Sequence, residues 1–160
     1  MKINLTQQPE IIQVQARPYL YLEKIGPFMV QAPKAWEEFS AIVEPLKNTL
    51  PIAVMAGLSK IDVSKQGDEQ FIYQAGLFLK EVIAEVPKGL KVRISPAGKY
   101  ARFVLTGGYH QLPGSYPVIF SILAKENIAE REEFCAEIYL NTPETASEEN
   151  LKTEILVPVV

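Results

Sequence analysis

The chain has 160 residues, with 16 Lys and Arg against 19 Asp and Glu and a formal net charge of -3. This length suits one domain with its own core, and the lack of a basic excess argues against direct binding of nucleic acid. Cys135 is the only cysteine and His110 the only histidine, which excludes an internal disulfide and most metal sites.

The first half of the chain predicts one extended segment, then a helix, then two strands. The extended segment covers Ile11 to Ile25 and ends at the Gly26 turn. Apolar residues then recur at the three- and four-residue spacing of an amphipathic helix of about four turns; they are Trp36, Phe39, Ile42, Val43 and Leu46. Strands are predicted near Ile52–Leu58 and Phe71–Lys80, where apolar residues return.

The second half predicts the same order of elements. Its extended segment runs from Leu90 to Leu105, with a bulge or turn at Pro96-Ala97-Gly98. Ser115 is predicted as the N-cap of the second helix, and Pro117 fits its first turn. Strands follow near Phe134–Asn141 and Lys152–Val159.

An internal repeat relates the two halves. A shift of 81 residues aligns Tyr19 with Tyr100, Gly26 with Gly107 and Phe39 with Phe120; a repeat of this kind decides the fold. We therefore predict a single α+β domain over residues 1–160, with two strand–helix–strand–strand repeats of about 1–86 and 87–160. We expect them to be related by a pseudo-twofold axis, with an antiparallel sheet, helices on one side and a ligand groove on the other.

Strand alternation makes Glu137 the main candidate for a binding residue. Between Cys135 and Asn141, Glu137 and Tyr139 share one face of the strand, while Ala136, Ile138 and Leu140 share the other. The apolar face suits packing against helices, so Glu137 would be either a solvated surface group or a carboxylate in a groove. A buried carboxylate needs a partner, and we expect Arg102, Lys99 or tyrosine hydroxyls to supply it when no ligand is bound.

Aromatic side chains are candidates for the walls of that groove. Tyr19 and Tyr21 share one face of their predicted strand, and Tyr100 and Arg102 hold the matching positions in the second half. Tyr19 is expected to cap the core. Trp36 is the only tryptophan, and core packing in its helix is the alternative to a role as a ligand platform.

The end of the chain carries a family resemblance. The segment from Phe134 to Pro143 and that from Leu151 to Val159 match an ending of the form E-I-Y-x-N-x-P … L-x-T-E-I-x-V-P-V. Gly26-Pro27-Phe28 and Ala35-Trp36-Glu37 also fit a G-P-[FY] turn and an A-W-E helix start. Over essentially its whole length the chain resembles the GyrI-like (gyrase-inhibitor-like) family, whose domain forms the effector-binding part of AraC-type and multidrug-responsive bacterial regulators.

The resemblance implies a small-molecule-binding protein without a cofactor. It implies that bulky, cationic or aromatic ligands bind in a central groove, with Glu137 as charge partner, Tyr139 beside it, and Tyr21, Trp36, Tyr100 and Arg102 as further contacts. It also leaves two alternatives open: a hydrolase of strained, cyclopropane-type compounds with Glu137 as general base and Tyr139 assisting, and a gyrase-inhibiting interaction partner. The second helix start departs from the family pattern, with Thr106-Gly107-Gly108-Tyr109 in place of G-P-Y.

The sequence also predicts where the protein acts. Residues 1–9 lack the apolar core of a signal peptide, and no apolar run approaches the roughly 20 residues of a membrane span. We therefore expect a cytoplasmic protein that contacts neither membranes nor DNA, since no helix-turn-helix segment is present. A homodimer stands as an alternative to a monomer.

Overall fold

The computed structural model describes residues 2–160. In chain order its helices and strands are β1 (Glu10–Val14), β2 (Arg17–Ile25), α1 (Phe28–Val43), β3 (Ile52–Ile61), β4 (Phe71–Leu79), β5 (Lys91–Ser95), β6 (Gly98–Thr106), α2 (Leu112–Lys125), β7 (Cys135–Tyr139) and β8 (Lys152–Pro158). They form two compact units. Residues 15–97 form the central unit, and residues 2–14 form the terminal unit together with residues 98–160.

Each unit contains four antiparallel strands and one α-helix. The strand order is β3-β4-β2-β5 in the central unit and β1-β6-β8-β7 in the terminal unit. Each helix packs on one face of its own sheet, where alternate strand residues are apolar. The predicted α+β class, with antiparallel strands and a helix in each half, is confirmed.

The two long extended segments predicted from the sequence are interrupted. Gln15 and Ala16 separate β1 from β2, and Pro96 and Ala97 separate β5 from β6. β1 pairs with β6, and β5 pairs with β2. The edge strand of each unit therefore comes from the opposite half of the sequence repeat. At the second break Pro96 has no N–H to continue a ladder.

The start of the second helix differs from the prediction, whereas that of the first follows its glycine turn. α1 begins directly after the Gly26 turn, whose φ of +139° favours glycine. α2 begins at Leu112, so Ser115 is not its N-cap and Pro117 lies inside the helix. The Ser115 hydroxyl donates to the Gln111 carbonyl at 2.8 Å, which places it within the first turn.

The hydrophobic core of each unit lies between its helix and its sheet. In the terminal unit the fully buried core includes Phe103, Leu105, Ile119, Leu123, Ile155 and Val157. In the central unit it includes Leu20, Ala35, Phe39, Tyr73, Ala75 and Leu77. These residues identify the helix-facing side of each sheet. Within residues 2–160, no helix is both long and apolar enough to span a bilayer.

Candidate functional site

Glu137 lies on the helix-facing side of the terminal unit. It stands opposite Ile155 of β8, which in turn stands opposite Phe103 of β6. Residues directly opposite each other in antiparallel strands project to the same face, and Ile155 and Phe103 pack with Ile119 of α2 in the core. Glu137 is therefore the one charged side chain in a cross-strand row that is otherwise apolar.

This position corrects the predicted assignment of the two strand faces. Alternation does place Glu137 and Tyr139 on one face, as expected. The face expected to pack on a helix, with Ala136, Ile138 and Leu140, is instead the one turned away from α2. Ala136 and Ile138 are nevertheless buried, so an apolar pattern alone could not identify the helix-facing side.

Two tyrosine hydroxyls hold the Glu137 carboxylate, one on each oxygen. Tyr116 of α2 donates to Oε2 at 2.5 Å, and Tyr139 of β7 donates to Oε1 at 3.0 Å. The shorter distance is at the tight end of the range for O–H···O⁻ bonds. Of the three alternatives expected for this role, tyrosine hydroxyls take it, and Arg102 and Lys99 do not.

Burial raises the pKa of Glu137 above its ordinary value, and the hydrogen bonds from Tyr116 and Tyr139 lower it in part. Burial disfavours the charged carboxylate, while a hydrogen bond donated to the carboxylate favours it. Cys135, two residues earlier on the same face, is half-buried, and burial raises the pKa of its thiol to about 12. The Cys135 thiol is therefore protonated at neutral pH.

Two further aromatic rings pack against the tyrosines that hold this carboxylate. The ring of Tyr109 meets that of Tyr139 edge-on, with centroids 5.5 Å apart, and Phe120 lies 6.2 Å from the ring of Tyr116. The repeat aligns Tyr109 with Phe28 and Phe120 with Phe39, so both positions are aromatic in each half, although the alignment alone did not assign them to the site. Tyr116 aligns with an alanine and carried no such signal.

Tyr100 and Arg102 lie on the other face of the terminal unit's sheet. Arg102 stands opposite Leu156, in the same row as Ala136, and forms ion pairs with Glu154 at 2.5 Å and Glu10 at 3.1 Å. Tyr100 is buried, with the Arg131 guanidinium 5.1 Å from its ring centroid. The structure does not bring either side chain to the Glu137 carboxylate.

Tyr21 and Trp36, predicted in the first half, occupy opposite faces of the central unit's sheet. Tyr21 stacks on the fully buried Tyr19 with centroids 5.5 Å apart and ring planes 8° apart, on the side away from α1. Trp36 projects from α1 toward the sheet, where its Nε1–H donates to the Tyr73 hydroxyl at 2.7 Å. Tyr19, which was expected to cap the core, is fully buried on the face of the sheet away from α1 and is not part of the core between α1 and the sheet.

The arrangement around Glu137 fits recognition of an organic ligand. Among residues 2–160 no group of three His, Cys, Asp or Glu side chains is placed to hold a metal ion. A carboxylate among aromatic rings can pair with a cation or accept a proton.

Comparison with known structures identifies the same fold elsewhere. The C-terminal domain of EcmrR has a TM-score of 0.77 at 13% identity, covering 96% of this chain and 97% of that one. SAV2435 bound to tetraphenylphosphonium has a TM-score of 0.73 at 14% identity, with 96% and 94% coverage. A hydrolase from Listeria innocua has a TM-score of 0.62 at 15% identity, with 96% and 92% coverage.

At these identities the likeness shows the fold alone. The chain spans 57% of the length of EcmrR in its DNA complex. None of the curated proteins matches this chain. The family model described as the GyrI-like small molecule binding domain matches residues 7–160, which include all the elements described above. The chain therefore belongs to the GyrI-like small-molecule-binding domain family.

Proposed function

We propose that this protein binds bulky, lipophilic cations or aromatic compounds, with Glu137 as their charge partner. The observation that carries the proposal is a half-buried carboxylate whose hydrogen bonds come from two phenols. In residues 2–160 no ion pair includes Glu137, although Arg102 in the same unit is paired twice. A carboxylate in such surroundings gains from a cation, because the cation offsets the cost of removing the charge from water.

The tyrosines around Glu137 suit the rest of such a ligand. Aromatic faces attract cations by roughly 0.5–2 kcal/mol each, more when water is excluded. Tyr139 holds the carboxylate, and its ring packs against that of Tyr109. SAV2435, which shares the fold, is a protein whose structure holds tetraphenylphosphonium, a lipophilic cation with four aromatic rings, and this likeness supports the choice of ligand class.

Four further predicted contacts are not carried into the proposal. Tyr100 and Arg102 lie on the face of their sheet away from Glu137, and Tyr21 and Trp36 occupy opposite faces of the central unit's sheet. The proposed contacts are therefore Glu137 and Tyr139. We place this binding activity in the cytoplasm, without direct contact to DNA or membranes.

Calorimetric titration with tetraphenylphosphonium tests the proposal. We expect Glu137→Gln to weaken binding about tenfold or more, because the amide keeps the shape of the side chain and removes its charge. Glu149→Gln, which changes an exposed carboxylate in the same unit, is the matched control and should bind as the wild type does. Equal affinity of wild type and Glu137→Gln across several lipophilic cations would remove Glu137 from the site.

A hydrolase is the second candidate function, favoured by the raised pKa of Glu137. A general base works best when its pKa approaches the operating pH, and Tyr139 could orient an electrophile beside it. A structural neighbour from Listeria innocua is described as a hydrolase. Mass spectrometry of cyclopropane-bearing compounds incubated with the protein distinguishes the two functions. A binding protein gives no product, whereas a hydrolase adds water to many molecules of the compound per molecule of protein.

A further inference from the structure

The Tyr116–Glu137 hydrogen bond joins the helix of the terminal unit to its sheet at the only charged position of an apolar cross-strand row. Tyr116 belongs to α2 and Glu137 to β7, 21 positions later in the chain. The Tyr116 ring packs against the core, so its hydroxyl is held in place by the same contacts that seat α2. This bond therefore has a fixed geometry before any ligand arrives.

The two phenols that hold Glu137 differ in origin and in distance. Tyr139 lies two residues from Glu137 on the same strand and donates at 3.0 Å, whereas Tyr116 comes from a different element and donates at 2.5 Å. Shorter bonds to an ionised acceptor are the stronger ones. Tyr116 should therefore contribute the larger part of the stabilisation of the carboxylate.

Few other ionisable groups of the terminal unit face Glu137. On β7 they are Tyr139 and Cys135, and on α2 the group is Tyr116. On β8 the residues that face the same side next to it are Ile155 and Thr153, neither of which carries a charge. With no cation in this set, hydrogen bonds from phenols are what oppose the effect of burial on the carboxylate.

We infer that Tyr116 is the positioning residue of the Glu137 site: its hydroxyl aims the carboxylate and holds it ionised in the empty protein, and so sets the preference for cations over neutral ligands. This inference rests on the proposed function. Tyr116 need not touch the ligand. Its effect is transmitted through Glu137, so it should alter cation binding and leave the binding of uncharged aromatic molecules unaltered.

Titration of wild type, Tyr116→Phe and Tyr139→Phe with two probes tests this. Tetraphenylphosphonium is the cation, and triphenylphosphine oxide is an uncharged probe with similar rings. We expect Tyr116→Phe to weaken tetraphenylphosphonium binding by up to about tenfold at pH 6 and by less at pH 8.5, because more of Glu137 is charged as the pH rises. Tyr139→Phe should show a smaller loss, and triphenylphosphine oxide should bind all three proteins with affinities within about twofold of one another.

A second measurement follows Glu137 itself. In protein carrying carbon-13 in its glutamate carboxyl groups, the Glu137 signal is assigned by its loss in Glu137→Gln. We expect its titration midpoint to move up by as much as about one pH unit in Tyr116→Phe, and a shift of one unit sets the tenfold upper limit given above. Thermal melting of Tyr116→Phe verifies that the variant is folded.

The outcomes separate the inference from the proposed function. If wild type binds tetraphenylphosphonium and Tyr116→Phe binds it equally well, the inference is wrong while the proposed function stands. If Tyr116→Phe loses affinity equally for the charged and the uncharged probe, Tyr116 contacts the ligand directly, and the inference is also overturned. If wild type binds no lipophilic cation, the proposed function fails, and an unchanged Glu137 midpoint in Tyr116→Phe would then reject the positioning role as well.

Discussion

Gly76 is a position where one added methyl group should destabilise the central unit severely. A Cβ at Gly76 would lie 2.4 Å from the Leu20 carbonyl oxygen and 2.6 Å from Cζ of Tyr19. The first contact is with backbone in β2, which pairs with β4 along its length. The second is with a fully buried ring whose hydroxyl donates to the Ala56 carbonyl at 2.8 Å. Neither neighbour can yield without breaking a buried interaction.

The magnitude for Gly76→Ala follows from these contacts. Forcing extra volume into a packed core costs about 1–3 kcal/mol, and displacing a buried hydroxyl from its acceptor costs about 1–3 kcal/mol more. We therefore expect the free energy of unfolding to fall by about 3 kcal/mol, which for a chain of this length lowers Tm by roughly 6–12 °C. Urea unfolding followed by circular dichroism measures the change.

Gly114→Ala provides the matched control for Gly76→Ala. Gly114 lies in α2, and its added Cβ would meet the flexible end of the Ile3 side chain at 2.9 Å. Because alanine also favours helix more than glycine does, this variant should be as stable as wild type or slightly more so. If Gly76→Ala unfolds at the same urea concentration as wild type, the close approach of Tyr19 and Leu20 to Gly76 does not constrain the fold as described.

Three further changes have definite expected outcomes. Burial raises the pKa of Glu137 in the folded state, so its contribution to stability is fully present below the unfolded pKa and is lost as pH rises through the folded pKa. The melting temperature of Glu137→Gln should therefore be higher than that of wild type at pH 8, with a difference that shrinks toward pH 4, and a difference that grows on acidification contradicts this sign. Trp36→Phe should cost about 1 kcal/mol in urea unfolding, because the buried Tyr73 loses the indole donor; Trp36→Leu, which loses the same donor, should cost at least as much. Cys135, with a thiol pKa of about 12, should react with iodoacetamide at pH 8 at least about tenfold more slowly in native protein than in urea, and equal rates would show an accessible thiolate.

The elements themselves could be predicted because their side-chain patterns are local. Apolar residues of α1 such as Phe39 and Val43 recur at helical spacing and are buried against the sheet. What could not be predicted is the exchange of edge strands, because pairing partners are distant in sequence. Gln15 and Ala16 carry no turn signal, and only the hydrogen-bonded register shows that β1 pairs with β6 and not with β2.

The candidate site was predictable in part for the same reason. Strand alternation places Glu137 and Tyr139 on one face, and they are hydrogen-bonded to each other. Alternation cannot say which face meets a helix when both faces bury apolar residues, as Ala136 shows. Tyr116 was missed because its role depends on how α2 is placed over the sheet, and its equivalent in the repeat is Ala35.

The two units build equivalent cross-strand rows, and only the row of the terminal unit contains a charged residue. In the terminal unit Glu137 pairs with Ile155 of β8, which pairs with Phe103 of β6. In the central unit Gly57 pairs with Ala75 of β4, which pairs with Leu22 of β2. Phe103 and Leu22 are 81 residues apart, which is the offset of the repeat. The two equivalent rows are Phe103–Ile155–Glu137 and Leu22–Ala75–Gly57.

The contrast between Glu137 and Gly57 indicates why a carboxylate lies at position 137. The central unit forms its sheet and packs its helix with glycine at the equivalent position, Gly57, so the fold itself does not require a charge there. Burial disfavours the ionised form of Glu137, so in the absence of a ligand the charge costs stability. Groups that cost stability without being needed by the fold are typical of functional sites. The carboxylate is therefore better explained by what it binds than by what it stabilises.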